Sequence, residues 1–362
     1  MQVALVHDYL MQGMRGAERV LAQMHDLYPH APVYTLLFDA AKMSNTVEGW
    51  DIRTSFLQKL PGALRLHRKL FPLMPLAVEL LNLRQYDLVI SSSSAWVKNV
   101  RHAPQATHIC YCYSPARFLW FWSEQYLNSL RAGPATRWLV RAMLPGLRWW
   151  DKRGTPRVSH FVAISRTVQQ RIRQYFGRDS VVIYPPVDTE RFVPVAEDED
   201  YFLIVGALNP YKRVDVAVET FNRLGLPLVI IGDGPEYERL QALAGPTVQL
   251  LGWREDEEVE YHIARCRAFI MPQEEDFGIA PLEAQSAGRP VIAYGAGGVL
   301  ETIVENQTGL LFSEQTPDSL CEAVQRFPTM SFDKQQCRDN ALRFTTGRFR
   351  EEFAEFVENV TK

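Results

Sequence analysis

The sequence reads as an α/β protein with two parallel-sheet domains. Three observations carry that reading. Short, unbroken apolar runs alternate with stretches of helical periodicity along nearly the whole chain, the pattern of strands covered on both faces. At 362 residues the chain is long for one compact domain and suits two. Its charge is split between the halves: residues 1–195 hold 24 Lys+Arg against 13 Asp+Glu, and residues 196–362 hold 15 against 29. With 47% apolar and 22% charged residues, the composition excludes a largely disordered chain. Gly and Pro show no period, which excludes collagen-like and low-complexity classes.

In the first half, strands are expected at 3–6, 33–36, 87–92, 108–112, 160–165 and 180–184. In the second half they fall at 201–206, 228–234, 248–252, 268–272, 290–294 and 309–312. Helical periodicity marks 15–26, 135–150, 165–175, 213–224, 235–244, 256–266, 317–326, 333–346 and 348–360. The boundary falls in PPVDTERFVPVAEDED (185–200), where two prolines and an acidic run interrupt regular structure. The expected domains are therefore 1–190 and 196–340, with 341–362 a terminal helix able to pack back across the hinge.

Asp198-Glu199-Asp200 has the look of a metal-binding carboxylate motif. It precedes a strand, however, whereas α/β ligand sites lie beyond strand carboxyl ends, so it reads as a solvated linker. The acids at 255–258 suit the first turn of a helix. No His, Asp and Glu constellation has metal-ligand spacing at a strand end, so no metal is expected. Five cysteines without a CxxC pair read as reduced thiols. The opening MQVALVHDYL lacks a basic region and a cleavage site, so no secretory leader is expected. The most lipid-like stretch, 71–83, is too short to span a bilayer. A basic half suits an anionic surface or a phosphorylated ligand. Residues 54–82 combine leucines and aromatics with Lys59, Arg65, Arg68 and Lys69, which suits either a membrane surface or a helical pair packed on its own domain.

The chemistry concentrates in QEEDFGIAPLEAQSAGRPVIAYGAGGVLETI (273–303). The segment follows a strand and opens a helix near Ile279. Gly278 allows a sharp turn, which leaves the N–H groups of Gly278, Ile279 and Ala280 at a helix N-terminus, an anion site suited to a diphosphate. Glu275 and Glu283 flank that turn. Two carboxylates on either side of a diphosphate site suit the hydroxyls of a nucleotide sugar, the sugar at one end and the ribose at the other. Gly297-Gly298 before Glu301 repeats the glycine-turn device one strand later.

With these motifs the sequence resembles the retaining glycosyltransferases of family 4, whose Glu-x7-Glu motif matches Glu275 and Glu283. The resemblance extends to HDYLMQGMRGAERV (7–20), VGALNPYKRVD (205–215), IGDGPEYERL (231–240) and GRPVIAYGAGG (288–298). SFLQKLPG (55–62), YDLVISSSSA (86–95) and VVIYPPVDTERF (181–192) look like bacterial mannosyltransferases of surface-polysaccharide assembly. The resemblance implies a GT-B fold, two Rossmann-like domains facing across a cleft. It assigns Lys212 to the donor diphosphate, Glu275 to hydroxyls of the transferred sugar and Glu283 to the ribose. Phe277, Gly278, Ile279 and Ala280 would present backbone N–H groups. Gly232, Trp253 and Arg254 would receive the nucleoside, and Gly13 and Gly16 would form an N-domain loop facing the donor. Two positions depart from the family pattern. Ala207 stands where the family usually has an Arg, and Tyr113 stands where the subgroup tends to have a His.

The expected activity is metal-independent, cofactor-free transfer of a hexosyl unit with retention. Mannosyl from GDP-mannose is the expected donor group, and a lipid-linked or glycan acceptor of polysaccharide biosynthesis the expected recipient. Tyr113, beyond the CYC strand, is expected to face the donor sugar or the acceptor as a hydrogen-bond donor. The expected place is the cytoplasm, peripheral on the inner face of the cytoplasmic membrane, bound through the basic half and without nucleic-acid partners. A nucleotide-sugar epimerase and a catalytically silent nucleotide-sugar-binding protein are the alternatives.

Overall fold

Strand cores made of β-branched and aromatic residues, almost all buried, organise two separate sheets in a computed structural model describing residues 1–11, 13–43, 47–129 and 133–362. Gln12, inside the 7–20 motif, lies outside the described residues. The first unit comprises Met1–Tyr184 together with Phe349–Lys362, and the second comprises Pro185–Arg348.

Among its described residues the first unit holds seven strands, β1 (Val3–Leu10), β2 (Val33–Phe38), β3 (Ile52–Thr54), β4 (Leu88–Ser93), β5 (Thr107–Cys112), β6 (His160–Ala163) and β7 (Ser180–Val182). They lie in the order 3-2-1-4-5-6-7, every pair parallel. Helices α1 (Gly16–Leu27), α2 (Pro134–Gly154) and α3 (Arg166–Phe176) follow β1, β5 and β6. Ser165 caps α3 by accepting from the Val168 N–H, and Gly177 closes it in the left-handed region. The sequence does not announce β3. It is three residues long at the sheet edge and two of them are exposed, so neither length nor alternation marks it.

The inner end of α2 is anchored by charge. Lys98 and Asp151 are both buried and pair at 2.8 Å, while Asn99 Nδ2 and Trp120 Nε1 donate to the Asp151 carboxylate at 2.9 and 2.7 Å. Gly154 is required there, since a Cβ would sit 1.8 Å from the Asn99 side-chain oxygen. Segment 54–82 sends Leu57, Ala63, Met74, Ala77, Val78 and Leu81 into the core of this unit.

The second unit holds β8 (Phe202–Val205), β9 (Leu228–Ile231), β10 (Val248–Gly252), β11 (Ala268–Met271), β12 (Val291–Tyr294) and β13 (Gly309–Phe312). Their order is 10-9-8-11-12-13, again all parallel. Helices α4 (Val214–Leu224), α5 (Tyr237–Leu243), α6 (Asp256–Arg265), α7 (Ile279–Ser286), α8 (Pro317–Arg326) and α9 (Lys334–Ala341) alternate with or follow the strands. Helix α10 (Thr346–Thr361) carries the chain back to the first unit, where Phe349 and Phe353 pack edge-on to Tyr111 and Arg350 donates to Gln23 at 2.7 Å.

The acidic run before β8 is exposed and irregular, as expected of a solvated linker, but its carboxylates are ion-paired. Asp198 accepts from Arg289 and Lys334, each at 2.6 Å, and Asp200 accepts from Arg267 at 2.9 Å. Partial burial would raise the Asp198 pKa, but the hydrogen bonds from Lys334 and Arg289 outweigh it and hold the carboxyl below its usual range. The run straps the segment entering β8 onto its own unit.

His108 on β5 is wholly buried, with Nε2 2.8 Å from Ser91 Oγ and Nδ1 without a partner among the described residues. Burial, with neighbouring His102, lowers its pKa to about 3. A histidine kept neutral in the fold binds a proton more readily when unfolded. Its stabilising contribution is therefore complete above about pH 6.5 and is lost as pH falls toward 3, at up to ~1.4 kcal/mol per pH unit. Denaturation at a series of pH values should show this acid limb, and His108→Gln should make it shallower by about one proton. Parallel curves for parent and variant would place the proton uptake elsewhere.

Candidate active site

In the second unit β8 and β11 are adjacent, and the chain leaves them toward opposite sides of the sheet. Such a switch point opens a crevice outside the strand carboxyl ends. The loop after β8 carries Lys212 and the loop after β11 carries Glu275. The two side chains meet as an ion pair, Lys212 Nζ to Glu275 Oε1, although 63 residues separate them. Gln273 completes the cluster. With its amide turned to match donors to acceptors, its oxygen accepts from Lys212 Nζ and its nitrogen donates to the Lys212 carbonyl, each at 3.3 Å. Arg213 takes a left-handed conformation and its side chain turns to Asp215 at 3.3 Å.

Glycines let the loops close on one another. Gly278 has φ 93° and begins α7, which has no side-chain cap, so the helix presents its first N–H groups beside Glu275. A Cβ at Gly297 would lie 2.2 Å from the Glu275 carbonyl oxygen, and one at Gly298 would lie 2.4 Å from Phe277 Cα. The Gly298 N–H donates to the Glu275 carbonyl at 2.7 Å. Gly297-Gly298 is therefore a backbone clamp on the 275–277 loop rather than a second anion turn, and Val299–Thr302 behind it is a helix of only four residues. Phe277 is buried edge-on to Phe344, and Glu283 is buried within α7.

On the other side of β8, a Cβ at Gly232 would meet the Gly206 carbonyl oxygen at 1.9 Å, and the Gly232 N–H donates to Gly252 at 2.8 Å. The 232–235 turn thus packs directly on the loop leading to Lys212. Just beyond Gly252, the Trp253 ring is 65% exposed and Arg254 is held by Glu258 at 2.8 Å. An indole standing out of a strand end offers a stacking face for a base.

In the first unit the equivalent switch point lies between β1 and β4. Asp8, buried at the end of β1, accepts from the N–H groups of Ser94, Ala95, Trp96 and Val97 at 2.6–3.1 Å and fixes the loop after β4. Beside it runs a relay. The Ala17 carbonyl can only accept, so Tyr113 donates to it at 3.0 Å; Ser92 then donates to Tyr113 at 2.9 Å, and His7 Nδ1 donates to Ser92 at 2.9 Å. That order turns His7 Nε2 toward Glu18 Oε1 at 3.9 Å. Tyr113 was expected to offer its hydroxyl to substrate. Its proton is instead engaged by Ala17 and its oxygen by Ser92, and burial pushes the phenol pKa well up. Gly13, at φ 76°, turns the loop before α1, and Gly16 is that helix's first residue.

Residues 14–191 match the model of Glycosyltransferase Family 4, and residues 187–344 match that of Glycosyl transferases group 1. The two matches together span residues 14–344 and support a glycosyltransferase of the family 4 type. It is similar to the GDP-mannose-dependent α-(1-6)-phosphatidylinositol monomannoside mannosyltransferase of Mycobacterium tuberculosis, 32% identical over 44% of this chain and 50% of that one. It is also similar to an uncharacterised glycosyltransferase of Methanocaldococcus jannaschii, 26% identical over 49% of this chain and 52% of that one. The chain thus spans about half the length of these relatives. Among solved structures, Anabaena HepE in complex with UDP superposes with a TM-score of 0.71 at 16% identity, covering 99% of this chain and all of that one. The galactosyltransferase WaaB of the lipopolysaccharide outer core superposes with a TM-score of 0.68 at 17% identity, covering 99% of both chains. These structures establish the two-domain GT-B fold.

The residues singled out in the second half come together around β8, β9, β10 and β11. Gln273 was missed, although it lies two residues from Glu275 beyond the same strand. His7, Asp8, Glu18 and Ser92 were missed too. The first two lie in the carboxyl-terminal half of the opening strand, the side on which a parallel sheet places ligand contacts.

The clamp is open to a direct test. Gly298→Ala should lower the free energy of unfolding by ~1–3 kcal/mol, the range for forced overpacking. Gly347→Ala in α10, where nothing lies within 4 Å of the added methyl, should be neutral or stabilising by up to ~1 kcal/mol. Equal denaturation midpoints for parent and Gly298→Ala would refute the clamp.

Proposed function

We propose that the chain is a retaining glycosyltransferase that moves a mannosyl unit from GDP-mannose to a lipid-linked or glycan acceptor in polysaccharide biosynthesis. The observation that carries this reading is the Lys212–Glu275–Gln273 cluster set against the uncapped start of α7 at the switch point. A diphosphate seated there takes its charge compensation from Lys212 and from the N–H groups of Gly278, Ile279 and Ala280. Phe277 shapes the turn that presents them. Glu275, now holding Lys212, exchanges part of that contact for hydroxyls of the transferred sugar, and Glu283 serves the ribose. Trp253 and Arg254 receive the base beside the turn at Gly232. Mannosyltransferases that use GDP-mannose stand among the relatives, which favours guanine over the uracil nucleotide bound by HepE.

Leaving-group stabilisation by preorganised cations and dipoles needs no metal. The departing diphosphate oxygen takes the proton of the incoming hydroxyl on the same face, which gives retention. In the first unit, a cavity of about 330 Å³ lined by Tyr9, Met11, Met74, Trp96 and Phe118, with the Glu18 carboxylate, suits an acceptor with an apolar portion and a hydroxyl. The His7–Ser92–Tyr113 relay positions Glu18 and the start of α1 beside it. Among the described residues no helix is long and apolar enough to cross a membrane, and a lipid-linked acceptor places the protein peripherally at the inner face of the cytoplasmic membrane.

Lys212→Ala should lower kcat for transfer from GDP-mannose by ~10²-fold or more, the range for losing one preorganised electrostatic contact. Transfer by the parent should persist in excess EDTA. An unchanged kcat in the variant, or activity abolished by EDTA and restored by manganese, would overturn the mechanism.

A further inference from the structure

Helix α2 contradicts the usual rule for aromatic residues in a soluble fold. Its 21 residues bury Leu144, Leu147, Asp151 and Gly154 on one face. Trp138 and Trp149 lie on the opposite face, 71% and 62% exposed. Eleven residues at about 100° each bring the two indoles to within ~20° of one another around the helix, three turns apart. Between them on the same line lie only Ala142 and Pro145, both exposed, so the rings stand out from a shallow surface. Leu139, 55% exposed, borders this strip.

On α2 itself the exposed charge around the strip has one sign. Arg141, Lys152 and Arg153 flank it, all exposed, and the Arg153 guanidinium lies 5.0 Å from the centre of the Trp149 ring. The helix has a single acid, Asp151, which is buried on the far face against Lys98. Arg141 pairs with Glu124 in an exposed contact of the kind that contributes little and exchanges partners readily. From Arg101 to Arg178 the sequence has 13 Lys+Arg and two Asp+Glu. Leu73, Leu76 and Leu80 are also exposed, and their segment adjoins α2 where Trp150 Nε1 donates to Glu79 at 3.0 Å.

A protein partner would need acids or shape to match this face, whereas an anionic bilayer supplies both requirements at once: phosphates for the cations and a headgroup layer that accepts indole rings. We propose that the outer face of α2 docks on an anionic lipid surface. Trp138 and Trp149 enter the headgroup layer, and Arg141, Lys152 and Arg153 pair with lipid phosphates. The inference deepens the reading of a lipid-linked acceptor and rests on it for its use, but its test does not involve transfer. It also moves the membrane contact from residues 54–82, most of whose apolar side chains serve the core, to the helix that follows β5.

The test is sedimentation of the full chain with vesicles of phosphatidylcholine alone and of phosphatidylcholine mixed with phosphatidylglycerol. The parent should sediment with the mixed vesicles only, and less so as salt rises. W138S/W149S should lower the bound fraction ~10-fold or more, and K152E/R153E should lower it comparably, both with unchanged thermal unfolding. Variants that sediment like the parent, or a parent that binds both vesicles equally, would overturn the proposal. So would a lipid-free parent that self-associates through this face and becomes monomeric in W138S/W149S. Tryptophan-dependent vesicle binding supports the surface even if the parent fails to bind GDP-mannose, which separates this inference from the donor reading.

Discussion

The candidate active site depends on backbone meeting backbone. At the carboxyl end of the second sheet, the loop after β12 lies on the loop after β11, and the loop after β9 lies on the loop after β8, with no space for a side chain in either contact. Gly232, Gly297 and Gly298 stand where a Cβ would come within 2.4 Å of a neighbouring backbone atom. Because those loops are held at that separation, Lys212 and Glu275 reach each other across the switch point and the start of α7 is aimed at the same place. The chemistry is carried by a few side chains, but their spacing is set by residues that have none.

On the proposed reading, the ion pair supplies the charge for a diphosphate in a chain with Ala207 where the resembled family has an arginine. Lys212 is held between Glu275 and Gln273 before any ligand arrives. Preorganised charge loses little in reorganisation when the leaving group develops its own. Arg213, the neighbouring cation, is turned to Asp215. In the first unit the corresponding preorganisation is a carboxylate held by backbone and a hydroxyl relay. Asp8 fixes one loop through four backbone N–H groups, and the relay through Ser92 and Tyr113 fixes the start of α1.

The parallel α/β architecture was legible because its strands are unbroken apolar runs. All twelve expected strands are present, and the thirteenth escaped because Ile52–Thr54 is a short, mostly exposed edge. The turn at Gly278 and the helix that starts at Ile279 were legible from the glycine after a strand, since such turns have a local signature. What depends on tertiary pairing was not. Nothing local says that Asp198 will meet Arg289 and Lys334 rather than water, or that Tyr113 will spend its hydroxyl on Ala17. The helix at 135–150 was recognised from its period, but periodicity cannot show that its two tryptophans lie on the face away from the core.

The central claim is that Glu275 reads the sugar while Lys212 reads the diphosphate. Calorimetric titration of GDP and of GDP-mannose into the parent and into Glu275→Gln separates the two roles. The account predicts that the variant keeps its affinity for GDP, with Lys212 released from its partner, and loses the added affinity that the mannosyl group confers. Equal weakening toward both ligands, or an undiminished preference for GDP-mannose, would contradict it.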